Sequence, residues 1–267
     1  MEKVIFNKFN SVEEFSTWLQ VTPQTKKGKE LNQSTEISES RTRFTGTTSF
    51  EEAQELLKYG DKVNADKITA TIRKIKAQGK GNETRNKLYN SPCGFMPIVP
   101  KVLAGDPQNM LAIRKERYNS TKVLNIAYNI SIGCEVRANE IIETAAKVAN
   151  VIASLEKNGY RVNLYVYACS KGHRSTISAL LIKIKDSGKY LDTLRIAYPL
   201  INPSFLRRHI FAFLERLNGY GLYSGYSEVL NDNTAKSYLP INASYLSFYN
   251  CKGKTEQEIT KMIENAK

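Results

Sequence analysis

Side chains that commonly perform acid–base and metal chemistry are scarce in this chain of 267 residues, which contains two histidines and four cysteines. Histidine is the residue most often recruited for general acid–base catalysis, and it is the commonest metal ligand. No two cysteines form the CxxC pair of zinc ribbons and thioredoxin-like redox enzymes. We therefore expect reduced thiols, no bound metal, no cofactor and no catalytic residue. The residues concerned are His173, His209, Cys93, Cys134, Cys169 and Cys251.

The local signatures of hydrolases and nucleotide-binding enzymes are also missing. Ser170 and Ser175 flank His173, but neither serine lies in the GxSxG elbow of α/β-hydrolases. Residues 131–136 contain one glycine where the dinucleotide fingerprint GxGxxG would stand, and residues 79–84 do not complete the phosphate-loop pattern GxxxxGK[ST]. The sequence therefore favours a protein that is not an enzyme. A hydrolase is an alternative that ranks below the two binding functions described below.

Two short basic clusters are candidate phosphate or anion sites. The first follows a predicted strand at the carboxyl edge of the sheet, where open α/β sheets bind ligands, and the second lies on an otherwise apolar helix. Lysine, arginine and hydroxyl groups suit a phosphate. The alternative interpretations are a solvated hairpin turn for the first cluster and, for the second, an ion pair of one arginine with Glu215 or with a carboxyl group elsewhere. The candidate residues are Lys171, His173, Arg174, Arg207 and Arg208.

Positive charge is concentrated in one quarter of the chain. The formal net charge is +13, and residues 58–122 contain 14 Lys or Arg against 5 Asp or Glu, interleaved with Tyr59, Tyr89, Phe95 and Tyr118. Such cations neutralise phosphates, and such rings stack on bases. The region therefore predicts a nucleic-acid-binding surface, the alternative being solvated lysine-rich helices. The candidate residues are Lys67, Arg73, Lys74, Lys76, Lys80, Arg85, Lys87, Arg114, Lys115 and Arg117.

Capping boxes predict two helices near the start of the chain. Ser11 is followed three residues later by Glu14, and Ser49 is followed by Glu52. In each pair the serine and the glutamate can satisfy backbone N–H groups at the first turn of a helix. Gly60 is suited to end the second helix.

The remainder of the first 118 residues is polar and basic. Residues 24–43 lack periodicity and predict a flexible loop. Isoleucines at i, i+4 and i+7 from Ile68 predict a helix. Three prolines within 92–100 forbid a continuous helix or a central strand and predict a stiff connector near a domain boundary. We predict a helical, basic N-terminal region over residues 1–118.

The second half of the chain, residues 119–267, predicts an α/β domain with a mostly parallel, Rossmann-like sheet. Apolar alternation indicates strands on both sides of a 20-residue amphipathic helix, and a strand–helix–strand unit of this kind has parallel strands. Further strands and helices alternate after it. The predicted strands are 123–130, 161–168, 177–184 and 194–200, and the predicted helices are 138–157, 204–217 and 255–264.

The first of these strands and its turn resemble a von Willebrand factor A-type domain. In that family the strand ends in DxSxS, whose side chains help to hold a divalent ion. Here Asn129 replaces the aspartate, Gly133 replaces the second serine, and Ser131 alone matches. Without the carboxylate, the main charge that a hard cation needs is missing. The resemblance therefore implies a von Willebrand A-like fold without its metal.

Four other passages resemble an uncharacterised family of tailed-bacteriophage proteins. The resemblance implies a phage origin and expression in a bacterial cytoplasm. Family members typically carry a histidine where Asn202 stands, and the family supplies no catalytic residues to carry over. The similar passages are 44–60, with FTGTTSFEEA and LKYG, 97–110, 141–166 and 198–208.

Together these patterns predict a phage-encoded accessory protein that binds nucleic acid without catalysis. The alternative is a protein-interaction module, for instance a host-factor inhibitor or adaptor, that uses the carboxyl edge of the sheet. No run of about 18 apolar residues and no signal peptide is present. We expect no membrane partner and a location in the bacterial host cytoplasm, with the virion as an alternative. The oligomeric state stays open.

Overall fold

A computed structural model describes residues 3–74, 84–117, 122–222, 226 and 228–265. These residues form a mixed α/β fold with a mostly parallel six-stranded central sheet, as predicted, and a second sheet of three strands. Among the described residues, no helix has both the length and the apolar character needed to cross a membrane.

Nine strands and twelve α-helices alternate along the described chain. The strands are β1 Lys3–Phe9, β2 Thr84–Ser91, β3 Met96–Pro97, β4 Met110–Arg117, β5 Val123–Asn129, β6 Arg161–Lys171, β7 Thr176–Lys185, β8 Glu228–Val229 and β9 Ser244–Ser247. The helices are α1 Val12–Val21, α2 Lys26–Leu31, α3 Glu39–Thr45, α4 Phe50–Tyr59, α5 Lys62–Lys74, α6 Val99–Leu103, α7 Ala138–Lys157, α8 Thr193–Ile201, α9 Phe211–Arg216, α10 Asp232–Ser237, α11 Phe248–Cys251 and α12 Glu256–Asn265. A π-helical segment, Phe205–Ile210, leads into α9.

The central sheet has the strand order β1-β7-β6-β5-β9, with β8 beside β6. β5 runs parallel to both β6 and β9, which confirms the predicted strand–helix–strand unit around α7. β7 turns back antiparallel to β6 and pairs in parallel with β1. The predicted strands over 123–130, 161–168 and 177–184 and the helix over 138–157 are therefore confirmed.

The predicted helix starts are confirmed by their hydrogen bonds. The Glu14 N–H donates to Ser11 Oγ at 3.0 Å, and the Glu52 N–H donates to Ser49 Oγ at 3.2 Å. Each glutamate accepts its return hydrogen bond from the residue before the serine. α4 ends as expected before Gly60, whose φ is +91° and where a Cβ atom would lie 2.5 Å from the Leu194 side chain. Local capping chemistry is enough to define these ends.

Two predicted elements are wrong. Residues 24–43 contain α2 and α3 rather than a continuous loop, and residues 194–200 lie in the helix α8 rather than in a strand. α8 is capped by Asp192, whose side chain accepts from the Leu194 and Arg195 N–H groups. Its last six residues are all buried. The apolar residues that suggested a strand are therefore those of a helix that is packed on several sides. β1 was not expected within the helical N-terminal region.

One hydrophobic cluster joins the first 70 residues to the second half of the chain. Phe9 at the end of β1 contacts Phe15 of α1, with ring centroids 5.2 Å apart, and Phe15 contacts Phe205 at 6.0 Å. Ile68 of α5 belongs to the same cluster as Val148 of α7. The division at residue 118 stays a prediction. We call the described residues of 3–74 and 122–265 the body.

Residues 84–117 form a separate three-stranded sheet, which we call the arm. β2 and β4 pair antiparallel over eight positions, from Thr84 opposite Arg117 to Ser91 opposite Met110, and β3 pairs with the start of β4. Residues 92–109, which join β2 to β4, are the tip of the arm. No described residue of the arm belongs to the hydrophobic clusters of the body. The predicted connector, residues 92–100, lies in the tip and contains β3 and the start of α6, whereas the strands β2 and β4 replace part of the predicted helical region.

Candidate nucleic-acid interface

The pairing of the two long strands of the arm brings two cations together. Lys87 of β2 lies directly opposite Arg114 of β4, and both residues are exposed. Opposite residues in an antiparallel pair point to the same face, with Cβ atoms about 4.5–5.5 Å apart. Like charges in this position repel each other, so a negatively charged ligand on this face would lower the electrostatic energy of the pair.

An aromatic ring lies beside these cations. The guanidinium carbon of Arg114 lies 5.5 Å from the ring centroid of Tyr89, which follows Lys87 by two residues and therefore shares its face. Tyr89 pairs with Ala112, whose small side chain leaves the ring exposed. We call Lys87, Tyr89 and Arg114 the basic face. Its chemistry suits a phosphate backbone and one stacked base.

An apolar cross-strand pair lies on the opposite face of the ribbon. Leu88 lies opposite Ile113, and both side chains are exposed. By the same register, positions 115 and 117 fall on the side of Ile113, so basic and apolar positions share this face. A helical arrangement, which the sequence favoured for much of this basic region, would have spread the same residues around a cylinder.

The tip is a defined structure rather than a simple turn. A Cβ atom at Gly94 would lie 2.1 Å from the Leu111 carbonyl oxygen, so glycine allows the chain to cross closely over β4. The Phe95 N–H then donates to the Leu111 carbonyl at 2.9 Å. Lys101 pairs with Asp106 at 3.0 Å, and a backbone hydrogen bond from Gln108, followed by the contact with Lys101, lowers the pKa of Asp106.

The structure places some of the ten predicted nucleic-acid-binding residues near one another. The arm strands contain half of the ten residues, and α5 contains three more; of these eight, side chains are described for Lys67, Lys87 and Arg114. Lys67 is exposed on α5, with its Nζ atom 3.4 Å from Asn64 Oδ1. Lys76 and Lys80 lie outside the described residues. Arg73 and Lys74 end α5, and the remaining strand residues are Arg85, Lys115 and Arg117.

The first predicted anion cluster occupies a hairpin. The Gly172 N–H donates to the Thr176 carbonyl at 2.7 Å, which closes the turn between β6 and β7. His173 is exposed in this turn, and Arg174 follows it in the short turn before β7. Lys171 ends β6, where it lies opposite Glu228 of β8. The alternative interpretation of these residues as a hairpin turn matches this geometry, and their anion binding stays a prediction.

The second predicted anion cluster is buried. All five N–H groups of the Arg208 guanidinium donate to oxygen atoms of residues 34–48, including the Ser34 carbonyl at 2.9 Å and the Glu36 carbonyl at 2.7 Å. Arg207 donates to the Phe44 and Val136 carbonyls. An anion could bind Arg208 only by replacing these hydrogen bonds. The guanidinium group of Arg208 therefore stabilises the conformation of residues 34–48.

Glu215, the expected ionic partner, is fully buried and holds the same segment. Its carboxylate accepts from the Ser34 N–H at 2.9 Å, from Ser34 Oγ at 2.6 Å, from Gln24 Nε2 at 2.8 Å and from the Tyr226 hydroxyl. The nearest arginine shown beside it is Arg216, at 3.9 Å, rather than Arg207 or Arg208. A buried carboxylate needs such donors to offset its desolvation.

The polar side chains of the turn after β5, for which the sequence suggested a resemblance to von Willebrand A-type domains, make hydrogen bonds within the protein. Asn129 Oδ1 accepts from the Ser131 N–H at 2.9 Å, and Asn129 Nδ2 donates to Asp232 at 3.1 Å. Ser131 Oγ accepts from the Cys169 N–H at 3.2 Å. Within the described ranges, no group of three or more His, Cys, Asp or Glu side chains could hold a metal. Asp232 was not singled out by the sequence, because it follows β5 by about a hundred residues.

A small cavity of about 370 Å³ lies at the carboxyl ends of β5 and β6. Ser131, Ser170 and Arg207 contribute polar groups to its lining. Tyr249 also lines it, and its hydroxyl accepts from the Gly133 N–H at 3.1 Å. This is the sheet edge at which the sequence placed a protein-interaction site. The volume is at the lower end of the range of small-ligand cavities.

Three of the nucleophile and base candidates, His209, Cys169 and Cys251, are buried in the body, whereas His173 and Cys134 are exposed. Burial lowers the pKa of His209 to about 3, and its Nδ1 lies 2.9 Å from the Tyr198 hydroxyl. Burial raises the pKa of Cys169 to about 12 and that of Cys251 to about 11. A thiol is nucleophilic as its thiolate, so both cysteines are poorly suited to covalent catalysis.

No curated protein and no solved structure matches this chain. One family model, described as "Domain of unknown function (DUF7192)", matches residues 1–266. The match spans the body and the arm together, so the arm is part of what the family model describes. The chain belongs to the DUF7192 family.

Proposed function

We propose that this protein is a phage-encoded accessory protein that binds nucleic acid through the basic face of the arm and catalyses no reaction on it. The observation that carries the proposal is the cross-strand pair of Lys87 and Arg114 beside the exposed ring of Tyr89. The phage origin and the cytoplasmic location come from the sequence resemblance.

The electrostatics of the arm support a polyanionic ligand. The eight-residue strands β2 and β4 contain five basic residues and one acidic residue. Each phosphate that a lysine or arginine neutralises releases condensed counterions, so binding weakens as salt rises. The long antiparallel strands β2 and β4 also form the kind of β-ribbon that can enter the major groove of a nucleic-acid duplex.

Removing both cations tests the proposal. With Lys87→Ala/Arg114→Ala we expect about a tenfold lower affinity for a labelled duplex near 0.1 M salt, equivalent to about 1.4 kcal/mol. The slope of log affinity against log salt should become shallower by up to about 1.8, since two phosphate contacts are lost. Fluorescence anisotropy at several salt concentrations measures both quantities.

Matched variants on the body control for total charge. Lys189→Ala/Lys261→Ala removes two exposed lysines from other surfaces, and Lys171→Ala/His173→Ala/Arg174→Ala removes the hairpin cluster. Both should bind the duplex with the affinity and salt slope of the unchanged protein. Equal losses in all three variants would show that net charge, rather than the basic face, accounts for binding.

The cavity at the carboxyl ends of β5 and β6 favours a second candidate, a protein-interaction module. Ala168 lines this cavity, and Ala168→Leu would fill part of it. If this function is the correct one, nuclease-treated host lysate should yield a partner with the unchanged protein and not with Ala168→Leu. The Lys87→Ala/Arg114→Ala variant should then retain the partner, which separates the two functions.

A further inference from the structure

The strand β1 forms an open edge of the central sheet. It stands at the end of the strand order and pairs in parallel with β7 along its whole length. Within the described ranges, the backbone groups of Lys3–Phe9 make no hydrogen bonds other than those of this pairing. The outer row of N–H and C=O groups on such an edge can pair with one further strand.

The side chains of β1 divide between a covered face and an exposed face. Ile5 packs against the main hydrophobic cluster of the body. Val4 and Phe6, on the opposite face, are 42% and 37% exposed, and Lys8 follows them on that face. Edge strands are usually protected by charged residues, by proline or by a covering segment. Residues 4–7 contain no charged residue and no proline, so the middle of this edge is open to pairing.

The exposed face of β1 is complementary to itself when two copies of the strand run antiparallel. With a two-fold axis at Ile5, residues whose numbers add up to ten lie opposite each other, on the same face of the sheet. Val4 of each copy then lies opposite Phe6 of the other, which brings four apolar side chains together. Glu2, which precedes the described strand in the sequence, falls opposite Lys8 in the same count. Apolar pairs and opposite charges across two strands both stabilise a sheet.

We propose that two copies of this chain associate through β1, so that their central sheets continue into each other across two antiparallel β1 strands. The inference goes beyond the proposed function and does not depend on it, because β1 belongs to the body and the basic face belongs to the arm. The identical strand supplies partners for the outer backbone groups of β1 and covers its exposed side chains. The interface is closed by its two-fold symmetry, as in most homodimers.

The neighbouring registers lose this match. A shift by two residues is the smallest that keeps each side chain on its face of the sheet. Such a shift sets Val4 opposite Lys8 in one direction and Phe6 opposite Glu2 in the other. Any extended chain could use the main-chain hydrogen bonds of the edge, but both apolar pairs and both charge pairs are supplied together by β1 itself. The pattern therefore favours a second copy over a foreign strand.

The charge and the size of the interface indicate a weak dimer. Each copy has a formal net charge of +13, which opposes association. At about 0.15 M salt the screening length is about 8 Å, so opposite side chains with Cβ atoms about 4.5–5.5 Å apart interact while most charges of the two molecules are screened from each other. A pair of seven-residue strands is a small interface, and we expect a dissociation constant on the order of 10 μM.

Sedimentation equilibrium of nuclease-treated protein, between about 1 and 300 μM in about 0.15 M salt, measures the association. The mass of the unchanged protein should rise from 30.2 kDa towards twice that value. Lys8→Glu sets two glutamates against each other at both ends of the pair and should raise the dissociation constant at least about tenfold. Glu2→Lys/Lys8→Glu reverses both charges and should return the constant to within about threefold of its original value. The control Lys261→Glu changes an exposed lysine of α12 and should leave the constant unchanged.

Disulfide formation reports the register. Cys93→Ser/Cys134→Ser first removes the two exposed thiols. In that background, a mixture of a Val4→Cys chain and a Phe6→Cys chain should cross-link at least about fivefold more than either chain alone. The reason is that positions 4 and 6 lie directly opposite each other, whereas like positions lie on a diagonal of about 7–8 Å, which a disulfide does not span without movement of the backbone.

The outcomes decide for or against the β1 pairing. Dimers that Lys8→Glu weakens and the charge reversal restores, together with the mixed cross-link, support it. A monomer at every concentration overturns it, and so does a dimer that Lys8→Glu leaves intact and that forms no mixed cross-link, because it uses another surface. A monomer that binds another protein, and loses that protein in Phe6→Asp, assigns the edge to a foreign strand and overturns the second copy as its occupant. The arm is unchanged in all these variants, so each outcome leaves the proposed nucleic-acid binding to its own test.

Discussion

The body and the arm use arginine in opposite ways. Arg208 in the body is fully buried and donates all five of its N–H groups to oxygen atoms of residues 34–48. Arg114 in the arm is exposed, lies opposite a lysine and covers a tyrosine ring. A buried, fully bonded guanidinium stabilises the fold, whereas an exposed one contributes little to stability.

The same contrast holds for apolar residues. Phe15 and Phe213 pack inside the aromatic cluster of the body with ring centroids 6.2 Å apart, while Phe95 and Leu103 of the tip are exposed. Hydrophobic burial accounts for the stability of the body. Residues that the arm leaves exposed are costly in water unless a partner covers them. The comparison indicates that the fold is held by the body, and in the proposed function the arm is the region that binds.

The largest effect should come from the same substitution made in each region. Arg208→Met removes the donor to the carbonyls of Ser34 and Glu36, and we expect a loss of about 3–5 kcal/mol in the free energy of unfolding. Arg114→Met should change that free energy by less than about 0.5 kcal/mol and lower the affinity for nucleic acid instead. Chemical denaturation of both variants checks this, and a similar destabilisation by both would remove the contrast between the regions.

A smaller effect should appear in the pH dependence of stability. His209 stays neutral in the folded body because burial lowers its pKa to about 3, whereas in the unfolded chain it takes up a proton below about pH 6.5. Stability is therefore retained above pH 6.5 and falls as the pH is lowered towards 3, by at most about 1.4 kcal/mol per pH unit from this group.

His209→Phe should flatten that dependence, because phenylalanine cannot take up a proton in the unfolded state. The new ring can keep the contacts that the imidazole makes with Phe205 and Phe50. His173→Phe, on the exposed hairpin, should leave the dependence unchanged. Urea denaturation between pH 4 and 7 measures the slope, and an unaltered slope in His209→Phe would assign it to carboxylates instead.

Much of the body could be predicted from sequence because its signals are local. α7 has the predicted bounds 138–157, since its apolar stripe and its Asn158-Gly159 end lie within one segment. Residues 24–43 carried no such signal. Their helices are held by Glu215 and Arg208, about 180 residues away, and no local pattern reports a contact at that separation.

The arm was missed for a different physical reason. A strand shows apolar alternation when one of its faces is buried, whereas the side chains described for β2 and β4 are mostly exposed on both faces. Composition therefore identified the region as basic, and the register that places Lys87 opposite Arg114 depends on how the tip folds between the strands. The charge could be predicted from the sequence, but the face that displays it could not.

The smallest expected effect compares two exposed tyrosines that each lie under an arginine. Arg114 lies 5.5 Å from the Tyr89 ring in the arm, and Arg161 lies 5.9 Å from the Tyr190 ring in the body. Their local chemistry is alike, so they differ mainly in which region carries them. If Tyr89 stacks on a base, Tyr89→Leu should weaken the binding of single-stranded DNA by about 1 kcal/mol, or about fivefold. Tyr190→Leu should leave the affinity unchanged, and equal losses at both sites would place the bound strand on the body as well as on the arm.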